Sequence, residues 1–148
     1  MPRPNRDAEL AECFGGCLAT SVRLLARAIA GVYDEGFREL GLRSTQVTLL
    51  ANIAALAGPD GVTQRDLARP MHIDQSTLSR NLALLLDRGL IRAGASEDRR
   101  LVPYSLTPLG RSALRAARPV WMACQERVEG MLGSDAQALR RAAARMAK

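Results

Sequence analysis

Thr63-Gln64-Arg65-Asp66-Leu67-Ala68 and, after a short gap, Ile73-Asp74-Gln75-Ser76-Thr77-Leu78-Ser79-Arg80-Asn81-Leu82 decide the fold. Thr63 offers a hydroxyl that can accept backbone N–H bonds, and Asp66 sets an acid in the positive first turn. A short helix therefore starts there and carries Leu67, Ala68 and Met71 on its apolar side. Asp74 is a good N-cap for a second helix, which runs to about Asp87 and is ended by Gly89. Only His72-Ile73 lies between the two, and two short helices joined by so brief a turn suggest a helix-turn-helix. His72 is read as a structural turn residue that tolerates positive φ, rather than as a ligand or pH sensor.

The second helix has two faces. At about 100° per residue Leu78, Leu82, Leu85 and Leu86 cluster on one side, and Ser76, Arg80 and Ala83 on the other. Gln75, Ser76 and Thr77 fill the first turn, where hydrogen-bonding groups and the helix N-terminus can meet base edges or phosphate. A helix that reads DNA needs this division: a polar face for the major groove and an apolar one anchored in the domain. An ordinary amphipathic surface helix looks similar, so the segment C-terminal to it carries weight. Leu90-Ile91-Arg92 and Leu101 to Leu106 are strand-like, with Val102, Tyr104 and Leu106 alternating to one face. The two-stranded hairpin they imply has a charged tip, Gly94-Ala95-Ser96-Glu97-Asp98-Arg99-Arg100. Directly after a helix-turn-helix such a tip reads as a wing, and Arg suits the narrow, electronegative minor groove. Pro103 falls inside the second strand and removes one donor, which is tolerable at an edge or an outward-facing position and implies a bent or mobile wing.

Outward from this lobe the chain reads as helix. Leu10, Phe14, Cys17, Leu18, Leu25, Ile29, Val32 and Tyr33 recur at three- and four-residue steps, which predicts one amphipathic helix from Leu10 to about Leu40, closed by Gly41. Ser44 can cap a helix whose apolar face holds Val47, Leu50, Ile53 and Ala54, and Gly58-Pro59-Asp60-Gly61 makes the loop after it. Thr107 caps a long helix with Pro108 at its first position; Gly133 ends it, and Ser134 can start a last helix.

The composition agrees. A chain of 148 residues, 47% hydrophobic and 3% aromatic, is one domain with an aliphatic core and more helix than strand. The net charge of +6 favours a polyanionic partner. It is uneven: residues 1–60 carry 6 Arg against 7 acids, residues 61–148 carry 15 Arg or Lys against 8. Cys13, Cys17 and Cys124 are an odd set without metal spacing and far in sequence from the single His72, which argues against a disulfide scaffold or a zinc site. No cofactor is expected. No run approaches a membrane span or a leader, so a cytoplasmic protein is expected. Nor can a nucleophile and its base be named, which argues against an enzyme.

Taken together, these segments resemble the MarR family of bacterial regulators. The resemblance rests on the two helix segments quoted above, Gly89-Leu90-Ile91, Asp98-Arg99-Arg100 and Leu106-Thr107-Pro108-Leu109-Gly110-Arg111, and covers about residues 44–111. It implies a mainly α (α+β) fold: one domain over 1–148, with a winged helix-turn-helix lobe at about 44–107, a two-stranded wing, and helices at about 8–40 and 108–147 forming a dimerisation platform. It implies a homodimeric, sequence-specific DNA-binding transcriptional regulator, a repressor released from a pseudo-palindromic operator by a small phenolic or hydrophobic effector or by an oxidant. Gln75, Ser76, Thr77 and Arg80 would face the major groove, Arg100 steadied by Asp98 would enter the minor groove, Arg99 would lie beside phosphate, and Thr63 is counted among the DNA-binding residues. Some relatives sense hydroperoxides through a cysteine on the first helix, which makes Cys17, then Cys13 and Cys124, candidate redox sensors. Anchored on Gly41-Leu42 and Gln46, the family register sets that sensor nearer Ala19 than Cys17. Lying among Leu10, Phe14 and Leu18, both Cys13 and Cys17 are otherwise expected as small buried hydrophobes, as is Cys124 beside Trp121 and Met122. The other class weighed is a winged-helix module for protein–protein contact; it predicts acids or apolar residues on the reading face, where Ser76, Thr77 and Arg80 stand instead.

Overall fold

The computed structural model describes residue 11 and residues 15–96, 98 and 101–146. Helix α1 spans Leu18–Gly36, followed by a 3-10 turn at Phe37–Leu40 that Gly41 closes at φ 63°. Helix α2 is Ser44–Leu56, strand β1 Val62–Thr63, helix α3 Gln64–Met71 and helix α4 Gln75–Asp87. Strands β2, Ile91–Ala93, and β3, Pro103–Leu106, precede helix α5, Pro108–Leu132, and helix α6, Asp135–Met146. No helix among the described residues is long and apolar enough to cross a membrane.

The fold class is as the sequence implies, with differences of detail that have local causes. The expected single helix from Leu10 is interrupted: Cys17 has extended backbone at the N-cap of α1, directly after Gly15-Gly16, a pair with little helix preference. Helix α2 begins one residue earlier than a Ser44 cap would set it. Arg43 is its N-cap, and the Arg43 amide donates to Gln46 Oε1 at 3.0 Å while the Ser44 amide donates to Asp34 Oδ1 at 2.7 Å. Leu49 joins Val47, Leu50 and Ile53 in the interior while Ala54 stays exposed. This helix is enclosed on more than one side, which hides its periodicity.

The expected two-stranded hairpin gains a third strand. β1 pairs with β3 through Val62 and Tyr104, β2 pairs with β3 through Ile91 and Leu106, and the antiparallel order is β1-β3-β2. Two residues are too few for an alternating pattern to betray a strand. Pro103 thus lies in the central strand, but at its first residue, where a missing donor is tolerated; its carbonyl still accepts from the Gly94 amide at 2.7 Å.

One aliphatic core ties these elements together. Phe37, Leu49, Leu50 and Ile53 meet Leu67, Leu78, Leu82 and Leu85 from the helix pair, with Ile91 and Leu106 from the sheet. Burying each of these large side chains contributes about 1.5–3 kcal/mol relative to exposure. Thr107 couples the sheet to α5: its hydroxyl donates to the Gly89 carbonyl at 2.7 Å and accepts from the Gly110 amide at 3.0 Å. At the other end α1 crosses α5 closely, because Gly36 leaves room for Cys124, and the Tyr33 hydroxyl bonds to Gln125.

Candidate nucleic-acid interface

Three local devices set the helix-turn-helix. Thr63 Oγ1 accepts from the Asp66 amide at 3.3 Å and starts α3. His72 terminates it in the left-handed region at φ 48°, ψ 35°, and is the only non-glycine residue with positive φ among the described residues. Asp74 then caps α4, its Oδ1 accepting from the Thr77 amide at 2.8 Å. Each device acts within a few residues, so the chain reverses without help from distant contacts.

Leu78, Leu82 and Leu85 of α4 are buried, whereas Gln75, Ser76, Arg80 and Ala83 are exposed and Thr77 is half-buried. The exposed side is a connected polar surface. Ser76 Oγ donates to Asp74 Oδ1, Thr77 Oγ1 donates to Asp74 Oδ2 at 2.6 Å, and Arg80 Nη2 donates to Ser76 Oγ at 2.9 Å. Gln64 of α3 joins through Nε2, which donates to Ser79 Oγ at 2.6 Å. The hydroxyls of Ser76 and Thr77, with the Thr77 amide, hold the Asp74 carboxyl far below the usual carboxylate range, so it stays ionised. Sequence reasoning placed Ser76 and Arg80 on one face and Thr77 in the first turn but missed how far they bind one another and Asp74.

At the wing, Asp98 is exposed and its carbonyl accepts from the Ser96 hydroxyl at 2.8 Å and the Leu101 amide at 2.9 Å. Arg99 and Arg100 lie outside the described residues. Of the cysteines, Cys13 also lies outside them. Cys17 is half-buried at the helix N-cap and not packed among apolar neighbours: Leu18 beside it is 76% exposed. The Thr20 amide and hydroxyl and the Ala19 amide lower its thiol pKa. Cys124 is buried, its thiol donating weakly to the Val32 carbonyl at 3.7 Å.

A groove of about 950 Å³ opens between α2, α5 and the base of the wing, with Phe37, Val47 and Leu114 in its apolar wall, Trp121 at one side and arginines at the rim. Sequence reasoning did not place it. The usable signal was the spacing of Arg111, Arg115 and Arg118, three cations on one face of a helix.

Residues 40–101 match the model of the MarR family. MosR, a transcriptional regulator of M. tuberculosis, is 33% identical over an alignment covering 88% of this chain and 93% of that one, with a TM-score of 0.76. The chain belongs to the MarR family. A probable transcriptional regulator from Pseudomonas aeruginosa is 25% identical over 88% of this chain and 97% of that one, with a TM-score of 0.76. MarR of E. coli, 19% identical over 87% and 95% of the two chains with a TM-score of 0.66, shares the fold. A comparison with curated proteins returns no match. Within the MarR frame α3 and α4 are the helix-turn-helix, the sheet is the base of the wing, and α1, α5 and α6 flank the lobe. Relatives of this family are transcriptional regulators rather than enzymes.

Proposed function

We propose that this MarR-family chain works as a cytoplasmic homodimer that reads a pseudo-palindromic operator with one winged helix-turn-helix per protomer. The observation that carries the reading is the division of α4: three leucines buried in the lobe, Gln75, Ser76 and Arg80 exposed on the other side, and Thr77 half-buried beside them in the first turn. These side chains meet base edges in the major groove, with Thr63 at the start of α3 beside them. Asp98, Arg99 and Arg100 carry the wing to the minor groove. MosR has also been solved in complex with DNA, which supports the assignment.

The dimer is supported by α1, where Leu18, Val22 and Leu24 are exposed at 76%, 49% and 70%. Apolar side chains at this density on one helix are normally covered. With the platform helices shared between protomers, an effector between platform and lobe, or oxidation at Cys17, changes the distance between the two reading helices and releases the operator. Footprinting on the DNA upstream of the protein's own gene, with and without peroxide or candidate phenols, tests this. A protected palindrome that is lost on adding one of them is expected; sedimentation as a monomer that still bound a palindrome tightly would remove the dimer from the account.

A further inference from the structure

The groove gathers positive charge. Arg111, Arg115 and Arg118 recur at i, i+4 and i+7 along α5, so they stand on one face, and Arg92 of β2 reaches the same space. Among the described residues no Asp or Glu lines the groove. The ion pairs among the described residues are Arg43–Asp34, Arg127–Glu35 and Arg140–Glu129, so none of the four rim arginines is paired with a carboxylate there. Arg92 donates through Nε to Ser105 Oγ at 2.9 Å, which fixes its direction and leaves its terminal nitrogens available. Like charges gathered around a concave, partly apolar wall repel one another and focus a positive potential into the groove. A single carboxylate or phenolate would answer only part of that potential.

We propose that the groove binds an amphipathic small molecule whose apolar body lies against Val47, Leu114 and Trp121 and whose head group carries at least two negative charges, in the chemistry of a phosphate monoester. Guanidinium forks match phosphate oxygens in pairs, and three of them on one helix face plus one from the sheet surround such a head from two sides. The placement gives binding a consequence: Arg92 belongs to the wing sheet and the other three to α5, so the bound anion joins wing and platform. This rests on the regulator reading for its outcome, not for its binding. A duplex is the other polyanion that could use these arginines. The concavity and its apolar wall favour the small molecule, and none of Gln75, Ser76, Thr77 and Arg80 lines the groove.

Trp121 is the only tryptophan in the chain and it lines the groove, 47% exposed, so its fluorescence reports occupancy directly. The full-length protein is titrated at low ionic strength with phenyl phosphate, benzoate and phenol, one ring carrying two, one and no negative charges near neutral pH. Phenyl phosphate is expected to bind at least about tenfold more tightly than benzoate, and phenol weakest. The Arg115→Gln/Arg118→Gln double variant should lose about tenfold or more for phenyl phosphate with phenol unchanged, and Arg115→Lys/Arg118→Lys should keep part of the affinity. Equal affinities for the three compounds, no binding of any, or a double Gln variant that binds phenyl phosphate like the parent would overturn the proposal. So would a double Gln variant that loses only affinity for duplex DNA, which would make the row a phosphate-backbone contact. If phenyl phosphate binds as expected while the parent protein binds no duplex, the groove assignment stands and the regulator reading fails.

Discussion

Arg80 is bonded to Ser76, one turn before it on α4: Nη2 donates to the Ser76 hydroxyl at 2.9 Å and Nε to the Ser76 carbonyl at 3.2 Å. Ser76 in turn donates to Asp74, so a candidate base-reading cation is linked through one hydroxyl to the anion that caps its helix. Asp74, Ser76, Thr77 and Arg80 are thus already bonded to one another. If α4 reads bases as proposed, base contacts replace these bonds, and the energetics of the face are a difference between two bonded states rather than the gain of new bonds.

Asp74 gives this arrangement a pH dependence. Its folded pKa is depressed, first by the Ser76 hydroxyl and then by Thr77, so its contribution to stability is fully present above the ordinary aspartate value of 3.8 and is lost as pH falls through the lower folded value. Asp74→Asn should melt at a lower temperature near neutral pH and should show a smaller further decline below 3.8 than the parent. Thermal melting followed by circular dichroism across this range checks it; parallel curves for the two proteins would contradict it.

Gly110 fixes how α5 leaves the wing. A Cβ there would stand 1.9 Å from the Leu90 carbonyl oxygen, a backbone atom that cannot swing aside. Gly110→Ala should therefore destabilise by about 1–3 kcal/mol, as overpacking does. Gly130, on the same helix with nothing within 4 Å of a Cβ, is the matched control. Gly130→Ala should stabilise by about 0.5–1 kcal/mol through helix preference alone. Denaturant unfolding of both variants should give opposite signs; a common sign would mean that the close approach at Leu90 does not constrain the helix.

How legible these features were depended on their range. The caps at Thr63, Asp74 and Thr107 and the left-handed His72 were readable because each works through a residue and its neighbours within three positions. The leucines of α4 were readable because one face is buried and one exposed. Where several neighbours decide, the sequence signal fades. Leu49 is buried because α2 is surrounded, β1 exists because Tyr104 is there to pair with Val62, and the groove needs α2, α5 and the sheet brought together. The break before α1 was in plain view as Gly15-Gly16, but the apolar repeat running across it masks it. That misplacement matters for Cys17, which moves from a buried helix face to an N-cap.

At that N-cap the thiol is accessible and its pKa is lowered by the Thr20 amide and hydroxyl and the Ala19 amide. Its reaction with iodoacetamide should accordingly rise with pH through a midpoint below that of an ordinary thiol, while buried Cys124 stays protected in the folded protein. Thr20→Ala removes the hydroxyl and should move the Cys17 midpoint upward. Peptide-resolved mass spectrometry after timed labelling measures both; a Cys17 midpoint that ignores Thr20 would show that the N-cap does not tune this thiol.

Fluorescence anisotropy on the footprinted operator, on its single-base variants and on unrelated duplex at several salt concentrations tests most directly whether α4 reads bases with the wing in support. Arg80→Ala should cost about 1–3 kcal/mol on the operator and relax base choice at one position in each half-site, because a bidentate guanidinium contact to guanine is lost. Arg100→Ala should weaken binding more evenly across sequences and make the salt slope shallower by about one unit for each phosphate no longer neutralised. If both variants are folded by circular dichroism and neither changes binding to any duplex, this helix and wing do not read DNA.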